Sequence, residues 1–240
     1  MNMNHTAKNK VQIDIHASVE LQHETKKKLY DTIRPVTDPI ELEKISQFRY
    51  AVYVEEMGRI QHDADHVLKR ISDKLDHGGI NIAAFAGEDV VGVVRVNFPA
   101  VSPIGDYEDF YQLQKLGADH PRKTAIVTRL MIAPHLRRSA LAVRLCAECY
   151  LLSLDEGIKW CFIDCNDHLV EFFSGLGFRE YIGKVRHEEY GMVTPMRLEL
   201  NDLSHLNRIK SPFAACLASR VGRTRSSTEF SKLAQGAHTQ

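Results

Sequence analysis

Two short apolar runs, Ile80–Ala86 and Val90–Asn97, are separated only by Gly87-Glu88-Asp89. Runs of this length around a turn triplet read as a β-hairpin, and no other feature restricts the fold as much. Ala125–Ile132 is a third apolar strand, ending at Pro134, and Leu136–Leu154 is an amphipathic helix stopped by Gly157. Trp160–Asp164 reads as a buried strand, Asp167–Leu176 as a helix ended by Gly177, and Glu180–His187 with Thr194–Leu200 as a last strand pair. A hairpin followed by a strand–helix–strand crossover implies a mixed α/β sheet. Upstream, Leu29–Arg34 could be a first strand. Asp38 as N-cap, Pro39 at the first helical position and Glu41 in the first turn start a helix running to about Glu56. Gly58–Gly79 reads as loop plus a short helix, and Pro99–Lys123 as a long connection with a helical turn at Asp106–Gln112.

Thirty-one basic and thirty-one acidic residues cancel, so global charge favours neither nucleic acid nor a membrane. No apolar run approaches the roughly 18–20 residues that span a bilayer, and Met1–Lys10 lacks the apolar core of a signal peptide. Five cysteines without such a signal point to reduced thiols and a cytoplasmic setting. Three segments differ in character: a polar arm at 1–28, a folded domain at 29–200, and an extension at 201–240. The extension carries Arg208, Lys210, Arg220, Arg223 and Arg225 with no acidic residue between them, and its end has the composition of a disordered segment.

The order of elements resembles the GNAT acyltransferases. Ile132–Ala142 falls where that fold has the strand–loop–helix gripping the pantetheine donor, and Leu176-Gly177-Phe178 where it has its closing helix-to-strand corner. The resemblance implies a mostly antiparallel mixed sheet, with splayed central strands flanked by helices. Backbone amides at a helix N-terminus bind phosphate, and parted strands admit the pantetheine arm. Two departures are informative. Arg138, Ala140 and Ala142 replace glycines that let backbone approach the CoA pyrophosphate, which favours a donor carried on acyl carrier protein over acyl-CoA. Phe173 stands where the family often has a thiolate-protonating tyrosine.

Arg49-Tyr50-Ala51-Val52-Tyr53, Asp73-Lys74-Leu75-Asp76, Val91-Gly92-Val93-Val94-Arg95 and Thr128-Arg129 follow the motif order of acyl-homoserine lactone synthases. That group's glutamate, two residues before the last motif, falls on Ile126. The segment Glu188–Met196, with Ser211-Pro212-Phe213-Ala214, is similar to the long-chain N-acyl amino acid synthases. The implied reaction joins an acyl group from a carrier-protein thioester to the amine of an amino acid, with no bound cofactor and no metal. The rivals are a lactone synthase, an acetyl-CoA enzyme, and a non-catalytic module that binds acyl carriers.

That chemistry assigns candidate residues. An amino acid's amine is mostly ammonium at neutral pH, so a base is required. Asp76 and Glu55 are the candidates, with structural ion pairing and a solvated helix end as their respective alternatives. Asp73 has the same two readings. An acceptor carboxylate calls for arginine: Arg49, Arg95 and Arg129 interrupt or follow apolar runs, and with Tyr53 they are assigned to substrate. Pointing inward they form a charged network, and outward they are surface residues. The resemblance implies a backbone N–H near Leu130 as the oxyanion donor, and Arg137, Arg138 and Met131 as the phosphopantetheine site. Phe98, Tyr107, Phe110 and Tyr111 either line a pocket or form plain core. His62 and His66 read as a hydrated loop more than a metal pair, and Cys146-x-x-Cys149 lies inside a helix, where a redox motif is out of place. Arg208, Lys210 and Arg220 could dock an acidic carrier protein or contact a membrane surface.

Overall fold

Asp38 opens the first helix as its sequence predicts. Its carboxylate accepts from the Ile40 and Glu41 amides at 2.9 and 3.0 Å, satisfying donors that the helix start leaves orphaned. The structure, a computed structural model, describes residues 29–220. The arm at 1–28 and the end of the tail, with Arg223 and Arg225, lie outside the described residues. Helix α1 (Pro39–Tyr50) continues as a π-helical turn over Ala51–Glu56. The first strand, β1 (Thr32–Val36), starts three residues later than Leu29.

The hairpin is β2 (Gly79–Ala86) and β3 (Asp89–Asn97), and Gly87 turns the chain at φ 62°, a conformation glycine adopts without penalty. Then follow β4 (Thr124–Ile132), α2 (Leu141–Asp155), β5 (Trp160–Cys165) and α3 (Val170–Leu176). Next come β6 (Arg179–Glu180), β7 (Val185–His187), β8 (Gly191–Glu199) and α4 (Leu203–Arg208). The sheet order is β1-β2-β3-β4-β5-β8-β6, with β7 on β8. Every pairing is antiparallel except β4 with β5, where the α2 crossover requires parallel strands. The expected fold class is the observed one. Helix α2 starts five residues later than predicted, because Pro134–Leu136 forms a separate 3₁₀ turn.

Strand alternation sends β3 residues to two different environments. Val94 and Val96 join the main core with α2, while Val93 packs beneath α1. Arg95 and Asn97 share the Val93 face by parity. The connection over 99–123 covers the same face further along: Ile104, Tyr111 and Leu113 cluster on Ile126 and Phe162.

The expected boundary at residue 201 is not where packing ends. Residues 212–220 are helical, and Leu206, Phe213 and Leu217 belong to the main core. Phe213 stacks on Tyr150 with ring centroids 4.4 Å apart. The basic residues flanking this stretch, Arg208 and Lys210 before it and Arg223 and Arg225 after it, masked its apolar positions. Phe213 is 1% exposed, and emptying such an aromatic site costs about 3–5 kcal/mol. Phe213→Ala is therefore expected to lower the unfolding free energy by that amount, read as a lower denaturant midpoint at unchanged m-value. A loss under about 1 kcal/mol would mean that the last helix is an ornament on the domain.

Candidate active site

Three arginines from three elements converge on one short turn. Asp73 caps the 3₁₀ turn Lys74–His77 by accepting from the Leu75 amide at 2.9 Å, and Asp76 reaches back to the Asp73 amide at 3.0 Å. This reciprocal cap presents both carboxylates to the sheet. Arg49 of α1 clasps Asp76 at 2.9 and 2.8 Å and donates to Asn81 at 2.6 Å. Arg95 of β3 bridges Asp73 and Asp76 at 2.5 and 2.9 Å, and its Nε donates to Thr128 at 3.1 Å. Arg129 of β4 reaches Asp73 at 2.8 Å. Arg49 and Arg95 are each 1% exposed. The inward reading is the observed one, as buried guanidinium requires when carboxylates lie within reach. Gly79 is needed where the turn meets the sheet, because a Cβ there would lie 2.7 Å from the Leu75 carbonyl and 2.8 Å from the Arg95 side chain.

The charges do not cancel: three arginines face two aspartates. Arg129 Nη1 meets only neutral partners, the Gln61 side-chain oxygen at 2.8 Å and the Tyr190 hydroxyl at 2.9 Å, and its guanidinium lies over the Tyr53 ring. Burial alone would raise the Asp73 carboxyl, but Arg95 and Arg129 outweigh it and hold the group well below 3.8. Arg49 and Arg95 likewise overcome burial at Asp76. Asp76 therefore makes a poor proton acceptor: both oxygens are occupied and its carboxyl is depressed. Glu55, the other expected base, bonds Lys69 at 2.9 Å on the surface and is not among the residues lining the cavity.

The cavity follows from how β4 leaves β5. The two strands pair only at Thr124, Ala125 and Ile126, opposite Trp160, Cys161 and Phe162. Against β3, Val94 alone faces both Arg129 and Leu130, a bulge in which Arg129 takes φ 59°. Such a bulge bends its strand and re-aims side chains. Beyond Ile126 the strands part around a cavity of about 470 Å³, within the range of small-molecule sites. It is lined from both sheet faces, by the polar side chains of Arg129, Tyr53, Tyr107, Tyr190, Asp164 and Asn166 and by the apolar ones of Val127, Ile163, Ala142, Cys146, Phe172 and Phe173. Leu130 also lines it, with no partner residue in β5.

The expected phosphopantetheine residues separate. Arg137 borders the cavity but is held by Glu56 in a bidentate pair at 2.5 and 2.7 Å. Arg138 is exposed and is not among the lining residues. Met131 lines the cavity but packs its side chain into the core beneath α1. In the tail, Arg208 bonds His205 at 3.0 Å and Arg220 ion-pairs with Asp155. Asp155 ends α2, about 20 Å along the helix axis from the loop that opens it, so Arg220 lies at the far end from the cavity mouth. His66 bonds the Tyr50 hydroxyl at 2.9 Å, and no metal-type cluster of His, Cys, Asp or Glu occurs among the described residues.

Sequence reasoning missed Gln61, Tyr190 and Asp164. The first two belong to segments without periodicity. Asp164 carried a usable signal, a lone acid ending the apolar run Trp160–Ile163. Of the four aromatic candidates, Tyr107 lines the cavity, Tyr111 is buried behind it, and Phe98 and Phe110 pack into core clusters.

No known family matches the chain by sequence, and no curated relative matches it. Among solved structures, the fold is similar to FeeM, an N-acyl amino acid synthase from uncultured soil microbes, at 16% identity over 77% of this chain and 96% of that one (TM-score 0.58). MesI, a CoA-dependent acyl-homoserine lactone synthase, shares 18% identity over 75% and 93% (TM-score 0.59). BjaI, another such synthase solved with MTA, shares 20% over 75% and 90% (TM-score 0.57). The architecture of this chain is the GNAT acyltransferase fold that these structures share.

Proposed function

We propose that this chain is an N-acyltransferase that moves a long-chain acyl group from an acyl-carrier-protein thioester onto the α-amine of an amino acid. The observation that carries the reading is the cavity between β4 and β5, lined by many apolar side chains and by Arg129, the member of the arginine network with the surplus positive charge. The apolar lining accepts the acyl and pantetheine chain. Arg129 receives the acceptor carboxylate, exchanging the neutral Gln61 and Tyr190 for an anion in a charge-assisted bond. Tyr53 packs against its guanidinium. The thioester carbonyl then lies near the bulge, where the Leu130 amide is the oxyanion donor. Arg49, Arg95, Asp73 and Asp76 position Arg129 without touching substrate.

Two observations weigh on the alternatives. Ile126, at the position of the lactone synthases' glutamate, is buried against Phe162 and supplies no carboxylate, which disfavours lactone formation. MesI and BjaI are CoA-dependent enzymes, so acyl-CoA is the second donor to assay. Arg59 and Arg137, which line the cavity, suit an acidic carrier's phosphopantetheine arm better than Arg220 does.

Mass spectrometry of lipid extracts from bacteria expressing the chain is expected to show new long-chain N-acyl amino acids. Losing one charged hydrogen-bond donor costs about 1.5–3 kcal/mol, so Arg129→Ala is expected to raise the acceptor KM at least tenfold and to abolish accumulation. Folded protein that yields no acylated product with either donor would leave a carrier-binding module or an acetyl-CoA enzyme. A separate prediction isolates the bracing role of Asp76. Removing one partner of a buried ion pair costs about 3–5 kcal/mol, so Asp76→Ala is expected to lose that stability at pH 7. Because the folded-state Asp73 and Asp76 carboxyls are depressed below 3.8, their contribution is complete above about pH 5 and erodes as pH falls through the carboxylate range. Acid titration of unfolding should therefore be shallower in Asp76→Ala than in the parent. Equal slopes would remove the network from the stability of the fold.

A further inference from the structure

Resting on the proposed amide-forming reaction, we infer that Asp164 is the catalytic group that takes the proton from the acceptor's ammonium and returns it to the departing thiol. Ile126 and Phe162 are partners across the β4–β5 pair. Asp164 lies two residues further along β5, so it shares the face of Phe162 at the level where the strands have parted. The acid missing from Ile126 thus reappears one strand away, at the edge of the cavity it lines. Tyr111, fully buried, donates its hydroxyl to Asp164 Oδ1 at 2.6 Å and fixes the carboxyl's direction.

The surroundings of Asp164 separate it from the other acids near the cavity. Asp73 and Asp76 are clasped by arginine, whereas no Lys, Arg or His forms an ion pair with Asp164 among the described residues. The groups facing it are Tyr111 by hydrogen bond, His187 and Tyr107 through space, and Cys165 along the chain. Burial pushes its carboxyl above the ordinary value, against the opposing pull of Tyr111 and His187. Tyr107, Tyr111 and Tyr190 are driven upward by burial as well, so these phenols donate hydrogen bonds and do not accept protons.

The step balances. The Asp164 carboxylate takes one proton from the ammonium, freeing the nitrogen lone pair. The lone pair forms the C–N bond at the thioester carbonyl, whose π electrons move to oxygen. Collapse breaks the C–S bond, Asp164 returns its proton to the thiolate, and the second nitrogen proton leaves to solvent. Amide, thiol and one proton result. Arg129 and Asp164, both lining the cavity, match the two charges of an amino acid zwitterion.

The test is steady-state amide formation by the full chain, with carrier-bound and CoA thioesters and a panel of amino acids, across pH 5–9. The base form is the active one, so kcat/KM rises with pH through the Asp164 pKa. Asp164→Asn is expected to lose about 10²-fold or more together with this acidic limb, and Asp164→Glu to keep a limb. Tyr111→Phe removes a donor that favours the carboxylate, so its limb moves to higher pH. Should Asp164→Asn not accumulate as folded protein, Tyr111→Phe decides: a limb moved upward supports the assignment and an unmoved one overturns it. If the parent forms no amide with any donor and acceptor, the acyltransferase reading fails and the assignment falls with it. If the parent is active while Asp164→Asn keeps its rate and its limb, or if His168→Gln, at the histidine that lines the cavity, alone abolishes the limb, only the assignment of Asp164 is overturned.

Discussion

The chain of charges Arg49–Asp76–Arg95–Asp73–Arg129 is the constraint on which the rest of the molecule depends. Its members come from α1, from the turn after it, from β3 and from β4. None can be buried alone without a penalty of several kcal/mol, so the network closes only when all four segments dock together. It is also a register device. A one-residue slip of β3 would swing Arg95 onto the α2 face, away from both aspartates, and would place a valine against them. The hairpin, whose apolar side chains tolerate either face, thereby acquires a single alignment.

The same residues connect stability to the opening of the sheet. Arg129 reaches Asp73 from a left-handed backbone conformation, which costs an L-residue about 1–2 kcal/mol, and its ion pair holds it there. The bulge at Arg129 and Leu130 changes the parity of β4. Ile126 packs on the network face before the bulge and Met131 returns to that face after it. Without the extra residue, Met131 would point toward α2. The bulge lies where β4 loses its pairing to β5, so ion pairing, backbone strain and the cavity share one position.

How much of this could be read from residues alone follows physical lines. Asp38-Pro39-Ile40-Glu41 encodes its helix start in local capping chemistry, and the hairpin is encoded in two apolar runs and a turn. Arg95 and Arg129 were legible as inward charges because an arginine inside an apolar run has few acceptable fates. The late start of α2 was hidden, because Leu136 satisfies helical spacing while belonging to the 3₁₀ turn before it. Residues 212–220 hold a single basic residue, Arg220, but lie between Arg208 and Lys210 on one side and Arg223 and Arg225 on the other, so the basic character of the tail hid Phe213 and Leu217, whose side chains are buried. The bulge at Arg129 has no glycine to announce it. Asp164 stood in plain view but passed as a strand end. Its meaning depends on Tyr111, distant in sequence, and on the divergence of β4, and both are tertiary facts.

On the proposed reading, the imbalance of the network also sets the direction of acceptor selectivity. A plain alkylamine would bring an ammonium toward a site that already carries one uncompensated positive charge. Two like charges about 4 Å apart repel by about 4 kcal/mol at the effective dielectric of a partly buried site. An amino acid presents its carboxylate first, cancels the surplus at Arg129, and leaves its ammonium directed away from the arginines. Surroundings free of arginine ion pairs are then a requirement of the chemistry at the amine, since a lone pair must be exposed there. A base held by arginines, as Asp73 and Asp76 are, would already have lost its affinity for the proton it must take. The separation of the two carboxylate environments is thus what allows one cavity both to bind an anion tightly and to deprotonate the amine attached to it.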